Sequence, residues 1–248
     1  MKATIVLVHG AFAESGSWGG VLGALVRAGH PVIAAANPLR NLDTDAASIG
    51  DVIRTIEGPV VLVGHAYGGA VITNVPAEAG AVTGLVYVAG FAPDPGESCL
   101  SLIGRFPGST LRDALRFVPC IDGTTNVLIR RDCFHDHFCA DLPKDLAEKM
   151  ALTQRPVTRE AVSAPSGERP LWRELPSWFV IGGEDRSISA ELQHFMADRA
   201  GARRTVEIPG ASHAVALSQP EATADLILEA ARLSAAAGQY RSRRSREA

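Results

Sequence analysis

The sequence predicts an α/β fold: a mostly parallel six-stranded sheet flanked by helices, with a small, mainly helical cap inserted after the fourth strand. Three observations predict it. Short apolar, β-branched runs alternate with segments of helical periodicity, which is how a parallel sheet covered on both faces reads. The alternation stops between Pro93 and Pro170, then resumes. The run Val60-Val61-Leu62-Val63 leads straight into Gly64-His65-Ala66-Tyr67-Gly68-Gly69, a turn rich in glycine from which a helix can start at Ala70.

Residues 3–8 form the first strand, and His9 to Ser17 a loop of mostly small residues. Trp18, Val21, Leu22, Leu25 and Val26 then share one helical face, which Gly29-His30 ends. Pro31 to Ala35 is the second strand. Asp43 or Thr44 is placed to cap a helix carrying Ala46, Ile49, Val52, Ile53 and Ile56, stopped by Gly58-Pro59. Val60–Val63 is the third strand and Val82–Ala89 the fourth. Residues 93–170 are too long for a structureless loop and are expected to form the cap, with a helix near Pro143–Leu152. Ser177–Gly183 and Thr205–Ile208 are the fifth and sixth strands. Helices are expected near Ser189–Ala200 and Glu221–Leu233. The core is thus 1–92 with 171–235, the cap 93–170, and the polar, basic stretch 236–248 a disordered tail.

At 46% hydrophobic and 21% charged residues, the composition is that of an ordinary globular protein. A net charge of -3 gives no electrostatic reason to expect nucleic acid or an anionic membrane as a partner. Met1 to Val8 is too short for a secretion signal and runs into His9-Gly10, so it reads as a buried strand. No apolar run approaches the roughly 18 residues of a membrane span. These points make a cytoplasmic protein the expectation. Cys99, Cys120, Cys133 and Cys139 are then expected as free thiols. The Cys133–Cys139 segment lacks the ligand spacings of a zinc site and reads as an amphipathic helix burying Phe134 and Phe138. No metal or cofactor is expected; a small-molecule substrate and a monomer or homodimer are.

In an open α/β sheet, ligands bind beyond the carboxyl ends of the strands. Those ends carry His9-Gly10-Ala11-Phe12, then Ala66-Tyr67, then Gly183-Glu184-Asp185, then Ala211-Ser212-His213. Gly64 to Gly68 has the frame of the nucleophile elbow G-x-S-x-G, except that Ala66 stands where serine is expected. A nucleophile position followed by an acid and then a histidine is the chain order of an α/β hydrolase.

On Val8-His9-Gly10-Ala11, Gly64-His65-Ala66-Tyr67-Gly68-Gly69, Gly183-Glu184-Asp185 and Ala211-Ser212-His213, the chain resembles the serine hydrolases of the α/β-hydrolase fold. The resemblance covers residues 3–233 and is weak across the cap. It is strongest to the branch holding plant methyl-salicylate-type esterases, hydroxynitrile lyases and bacterial small-molecule esterases. It implies His213 as general base, with Asp185 orienting it. Glu184 and Asp94 are the substitute acids. It also implies an oxyanion hole from the backbone N–H of Tyr67 and Ala11, with Phe12 as fallback donor. The candidate substrate-binding residues are Phe12, Phe106, Phe117, Phe134, Phe138 and His9. His9 would act mainly as a tie between the first loop and the elbow loop. His65 is expected as buried packing; His135, His137 and His194 as surface or cap residues.

Ala66 leaves His213 no hydroxyl to activate. In one reading a serine has been replaced by alanine, so that a hydrolase of small carboxylic esters or lactones binds substrate without turning it over. In the other the alanine is native, and the chain is a ligand-binding pseudo-hydrolase or a His213-dependent lyase. The first is favoured, because a lineage released from catalysis has no reason to keep Asp185, His213 and a strained glycine frame together.

Overall fold

Six parallel strands carry the protein: β1 (Thr4–Val8), β2 (Val32–Ala35), β3 (Val60–His65), β4 (Val82–Val88), β8 (Ser177–Gly182) and β9 (Arg204–Ile208). Between β4 and β8 lie three cap strands, β5 (Leu115–Pro119), β6 (Thr125–Ile129) and β7 (Val157–Thr158). The computed structural model describes residues 1–244, without side chains beyond Ser234.

The order of the main sheet is β2-β1-β3-β4-β8-β9, so the chain winds outward one way from β1 to β2 and the other way from β3 onward. The crevice at that reversal, between the carboxyl ends of β1 and β3, is the ligand position of a doubly wound sheet. Every residue of β1, β3 and β8 is buried. Successive side chains of a strand point to opposite faces, and this sorts the core into two layers. Ile5, Leu7, Val61, Val63, Val86 and Val180 meet the helices Gly19–Arg27 and Pro220–Arg244 on one face. Val6, Val8, Leu62, Tyr87, Phe179 and Ile181 meet Leu42–Arg54, Tyr67–Thr73 and Ala190–Arg199 on the other, under the cap.

Three expectations are corrected here. The N-cap of Leu42–Arg54 is Asn41, whose side chain accepts from the Asp43 amide, rather than Asp43 or Thr44. An Asn with extended backbone just outside the helix can reach the second amide, whereas residues 43 and 44 are already helical.

The cap is mainly helical, with Lys144–Thr153 its longest helix, but it also holds the antiparallel sheet β5-β6-β7. The β5–β6 hairpin turns through Asp122-Gly123, where Gly123 has φ 86° and Asp122 Oδ1 accepts from the Thr124 amide. This is an Asp-Gly turn signal hidden among half-exposed strands without clean alternation.

The last helix runs through Arg244, past the expected end at Leu233 and into the stretch expected as a tail from 236. The rest of that predicted tail, 245–248, lies outside the described residues.

The cap is stitched at its neck by the Trp172 indole N–H, which donates to the Pro93 carbonyl at 2.8 Å. Among the described residues, no helix is long and apolar enough to cross a membrane.

The elbow helix lies so close to β1 that a Cβ on Gly68 would stand 2.3 Å from the Val8 carbonyl oxygen. Two backbones cannot yield as a flexible side chain can. Gly68→Ala is therefore expected to lower the unfolding free energy by about 2–4 kcal/mol, read by urea denaturation; an unchanged midpoint would contradict this packing.

Candidate active site

The turn from β3 into the helix Tyr67–Thr73 has no intervening loop, and residue 66 takes the strain. Ala66 sits at φ 50°, ψ −121°, a conformation that side chains rarely adopt. Its amide donates to the Val88 carbonyl at 3.3 Å, and its carbonyl accepts from the Gly69 and Phe91 amides at 2.9 and 3.1 Å. The turn is thus pinned to the strand beside it. Tyr67 is held by its other end: its hydroxyl donates to Asp45 Oδ2 at 2.8 Å. Asp45 is buried and also accepts from the Arg40 amide. Burial pushes both the Asp45 carboxyl and the Tyr67 phenol above their ordinary values.

The backbone N–H groups of Tyr67 and Ala11 meet no protein acceptor among the described residues, and both residues line the same pocket as Ala66. Phe12 is removed as the fallback donor. Its amide donates to the Arg155 carbonyl at 3.1 Å, which fixes the residue at φ 61°.

His213 and Asp185 come together from the loops after β9 and β8. His213 Nδ1 lies 2.8 Å from Asp185 Oδ2, both side chains being buried. The Ser187 and Ile188 amides donate to Asp185 Oδ1 at 2.8 and 2.9 Å, and Gln193 Nε2 donates to Oδ2 at 2.9 Å. A carboxylate accepting this many bonds stays in place and can only accept, so Nδ1 of His213 is the donor in this pair. Of the substitute acids, Glu184 is exposed, and Asp94 pairs with Arg173 at the cap neck. Neither reaches His213.

The imidazole of His213 packs edge-on to Phe138, with centroids 5.0 Å apart, and against His65 at 4.8 Å. His65 does more than fill space. Its Nε2 lies 3.0 Å from the His213 carbonyl oxygen, which can only accept, so His65 donates there and anchors the backbone of the second histidine. Burial, and then the neighbouring His213, hold the His65 pKa down to about 3.

His9 is also structural, but its tie differs from the expected one. Its Nε2 accepts from the Asn37 amide at 3.0 Å, and the Asn37 side chain donates back to the His9 carbonyl, joining the first loop to the one after β2 instead of to the elbow loop. Burial lowers its pKa to about 4.

Ala66, Tyr67, Ala11 and His213 open into one apolar pocket beneath the cap, about 600 Å³ of empty space counting its mouth. Phe12, Phe91, Ile103, Leu111, Phe138 and Val157 are among its walls. Phe12 and Phe138 line it, whereas Phe106, Phe134 and His9, expected beside them, lie elsewhere, and Phe117 lines only an adjoining outer hollow. Phe106 packs on Phe195 behind the cap. Phe117, on a half-exposed strand, is 55% exposed. Phe134 is buried behind Phe138, and His9 is tied to Asn37. Sequence reasoning misses Phe91, Ile103, Val157 and the Asp185-holding Gln193; only Phe91, just past the end of β4, carries a positional signal. The four cysteines are free thiols, and burial raises Cys139 to about 12. No cluster of metal-ligating side chains occurs among the described residues.

His9 and His65 titrate below the ordinary histidine value of 6.5, so the unfolded chain binds protons that the folded one refuses. The stability this confers is present above pH 6.5 and is lost as the pH falls toward 4, each histidine adding a slope of at most about 1.4 kcal/mol per pH unit. Urea unfolding between pH 7.5 and 5 is expected to show this fall. His65→Gln should make the fall shallower, and an equal fall in the variant would contradict the assignment.

Comparison with known proteins agrees with this architecture. The chain is 36% identical over 116 residues to the carbendazim hydrolyzing esterase of Nocardioides sp. (strain SG-4G), an alignment spanning 42% of this chain and 48% of that protein. It is 26% identical to the alpha/beta hydrolase nvfD of Aspergillus novofumigatus (strain IBT 16806), over 93% of this chain and 97% of the relative. The crystal structure of polyneuridine aldehyde esterase superimposes with a TM-score of 0.78 at 21% identity, covering 92% of this chain and 99% of that one, which is a likeness of fold. The sequence model of the alpha/beta hydrolase family matches residues 5–226, and the chain belongs to that family.

Proposed function

We propose that this fold serves the hydrolysis of a small, largely apolar carboxylic ester or lactone, and that the chain carrying Ala66 binds such a substrate without turning it over. The observation that carries the proposal is the buried His213–Asp185 pair, 2.8 Å apart, in the same pocket as the strained position 66. The esterase among the relatives supports the reaction class.

With serine at 66, the chemistry follows from the geometry. His213 Nε2 takes the hydroxyl proton as the oxygen attacks the substrate carbonyl carbon, and Asp185 stabilises the imidazolium. The carbonyl oxygen becomes an oxyanion facing the Ala11 and Tyr67 N–H groups. Collapse expels the alcohol, which receives the proton from His213, and leaves an acyl-enzyme. Water enters, gives its proton to the same nitrogen and releases the acid, restoring the serine. With alanine, the pocket and the two N–H donors remain, and no bond can form.

Ala66→Ser is expected to raise turnover of short aryl esters by a factor on the order of 10⁴–10⁶, the scale on which removing a serine nucleophile acts. Adding Asp185→Asn to that variant should cancel most of the gain, because the imidazole loses its tautomer. Absence of any gain in a variant with an unchanged melting curve would overturn the proposal. Retained ligand binding with no turnover would instead favour a binding protein, and turnover abolished by His213→Ala in the Ala66 form a lyase.

A further inference from the structure

A second, outer hollow adjoins the pocket. Leu100, Arg112, Leu115, Val127 and Val162 line both, and Phe117 and Arg159 complete the outer one. The inner part is almost wholly apolar, whereas two arginines, Arg112 and Arg159, line the outer part. Arg112 donates to the Leu100 carbonyl at 3.0 Å, a bond that anchors the group on the wall without neutralising it. Among the described residues, no carboxylate lies within 4.0 Å of either guanidinium. The neighbouring Glu160 is turned away, accepting from the Thr125 amide. Two uncompensated arginines on an apolar hollow stand out in a chain of net charge -3, whose overall field repels anions.

We infer that the two hollows join into one channel and that it takes an amphipathic anion: a substrate with its ester at position 66, an apolar middle section, and a carboxylate at the far end between Arg112 and Arg159. Guanidinium groups recognise carboxylates by paired, charge-assisted hydrogen bonds, and the apolar wall leaves no other polar feature to set the register of a long substrate. The inference rests on the hydrolase reading for the ester end only; the anion end concerns binding.

The test uses the Ala66 chain as a trap. Monophenyl esters of six- and eight-carbon diacids are compared, by isothermal titration, with phenyl esters of the matching mono-acids. The acidic ligand of at least one length is expected to bind about tenfold tighter at low salt, with the advantage shrinking as salt rises. In Arg159→Gln, and further in Arg112→Gln/Arg159→Gln, the ratio of the two affinities should fall toward one, while Arg159→Lys should keep part of it. Arg159 is exposed, so the fold is not at stake. Equal affinity for the two ligands at both lengths, or a preference that survives the double variant, overturns the inference. If the preference is found but Ala66→Ser cleaves neither series, the hydrolase reading fails and the anion site stands. If Ala66→Ser cleaves both series with equal kcat/KM and the trap shows no preference, the reverse holds.

Discussion

The backbone contact between the elbow and its neighbouring strands is the constraint on which the rest of the site depends. A Cβ on Gly64 would come 2.5 Å from the Gly68 carbonyl oxygen, and one on Gly69 would come 2.5 Å from that of Phe91. Only bare backbone lets the helix Tyr67–Thr73 sit this close to β3 and β4, and only this closeness forces residue 66 to φ 50°. Such a conformation costs on the order of 1–3 kcal/mol, so it persists where its surroundings over-determine it. What the strain produces is position: a side chain at 66 standing in the pocket, with the Tyr67 N–H beside it and free of acceptors among the described residues. The same approach explains why Gly10 faces the elbow, since a Cβ there would meet the Ala66 Cβ at 2.7 Å.

Around that fixed point the polar groups form an ordered chain of support. Asp185 is held by two amides and Gln193, His213 by Asp185, and the His213 backbone by His65. Each link is buried, so each bond is worth more than it would be in water, and each loss would leave a group unsatisfied. The arrangement leaves one nitrogen, His213 Nε2, without an assigned partner in the network. His213 itself lines the pocket that residue 66 shares.

Much of this is legible in the amino-acid sequence. The parallel sheet follows from β-branched runs between helical segments, and Asp185 and His213 follow from their order and from their places at strand ends. The signals that fail share a physical cause, which is that they depend on contacts between distant segments. Phe106, Phe117 and Phe134 have the composition of pocket walls, but which face of the cap each occupies is decided by how the cap folds on the core. The β5–β6 hairpin escapes sequence reasoning because its strands are half exposed and alternate poorly, although Asp122-Gly123 marks the turn. His9 reads as a tie to the elbow, and its actual partner, Asn37, lies in the loop after a strand that neighbours β1 only in three dimensions.

The central claim is that the site is complete but for one oxygen. Intact-mass analysis of the Ala66→Ser variant after treatment with an alkyl fluorophosphonate tests it most directly, since that reagent is attacked only by an activated serine. The account predicts a single stoichiometric adduct, located at position 66, which disappears when His213→Ala is added. A folded Ala66→Ser protein that takes up no adduct, or one labelled equally well without His213, would contradict it.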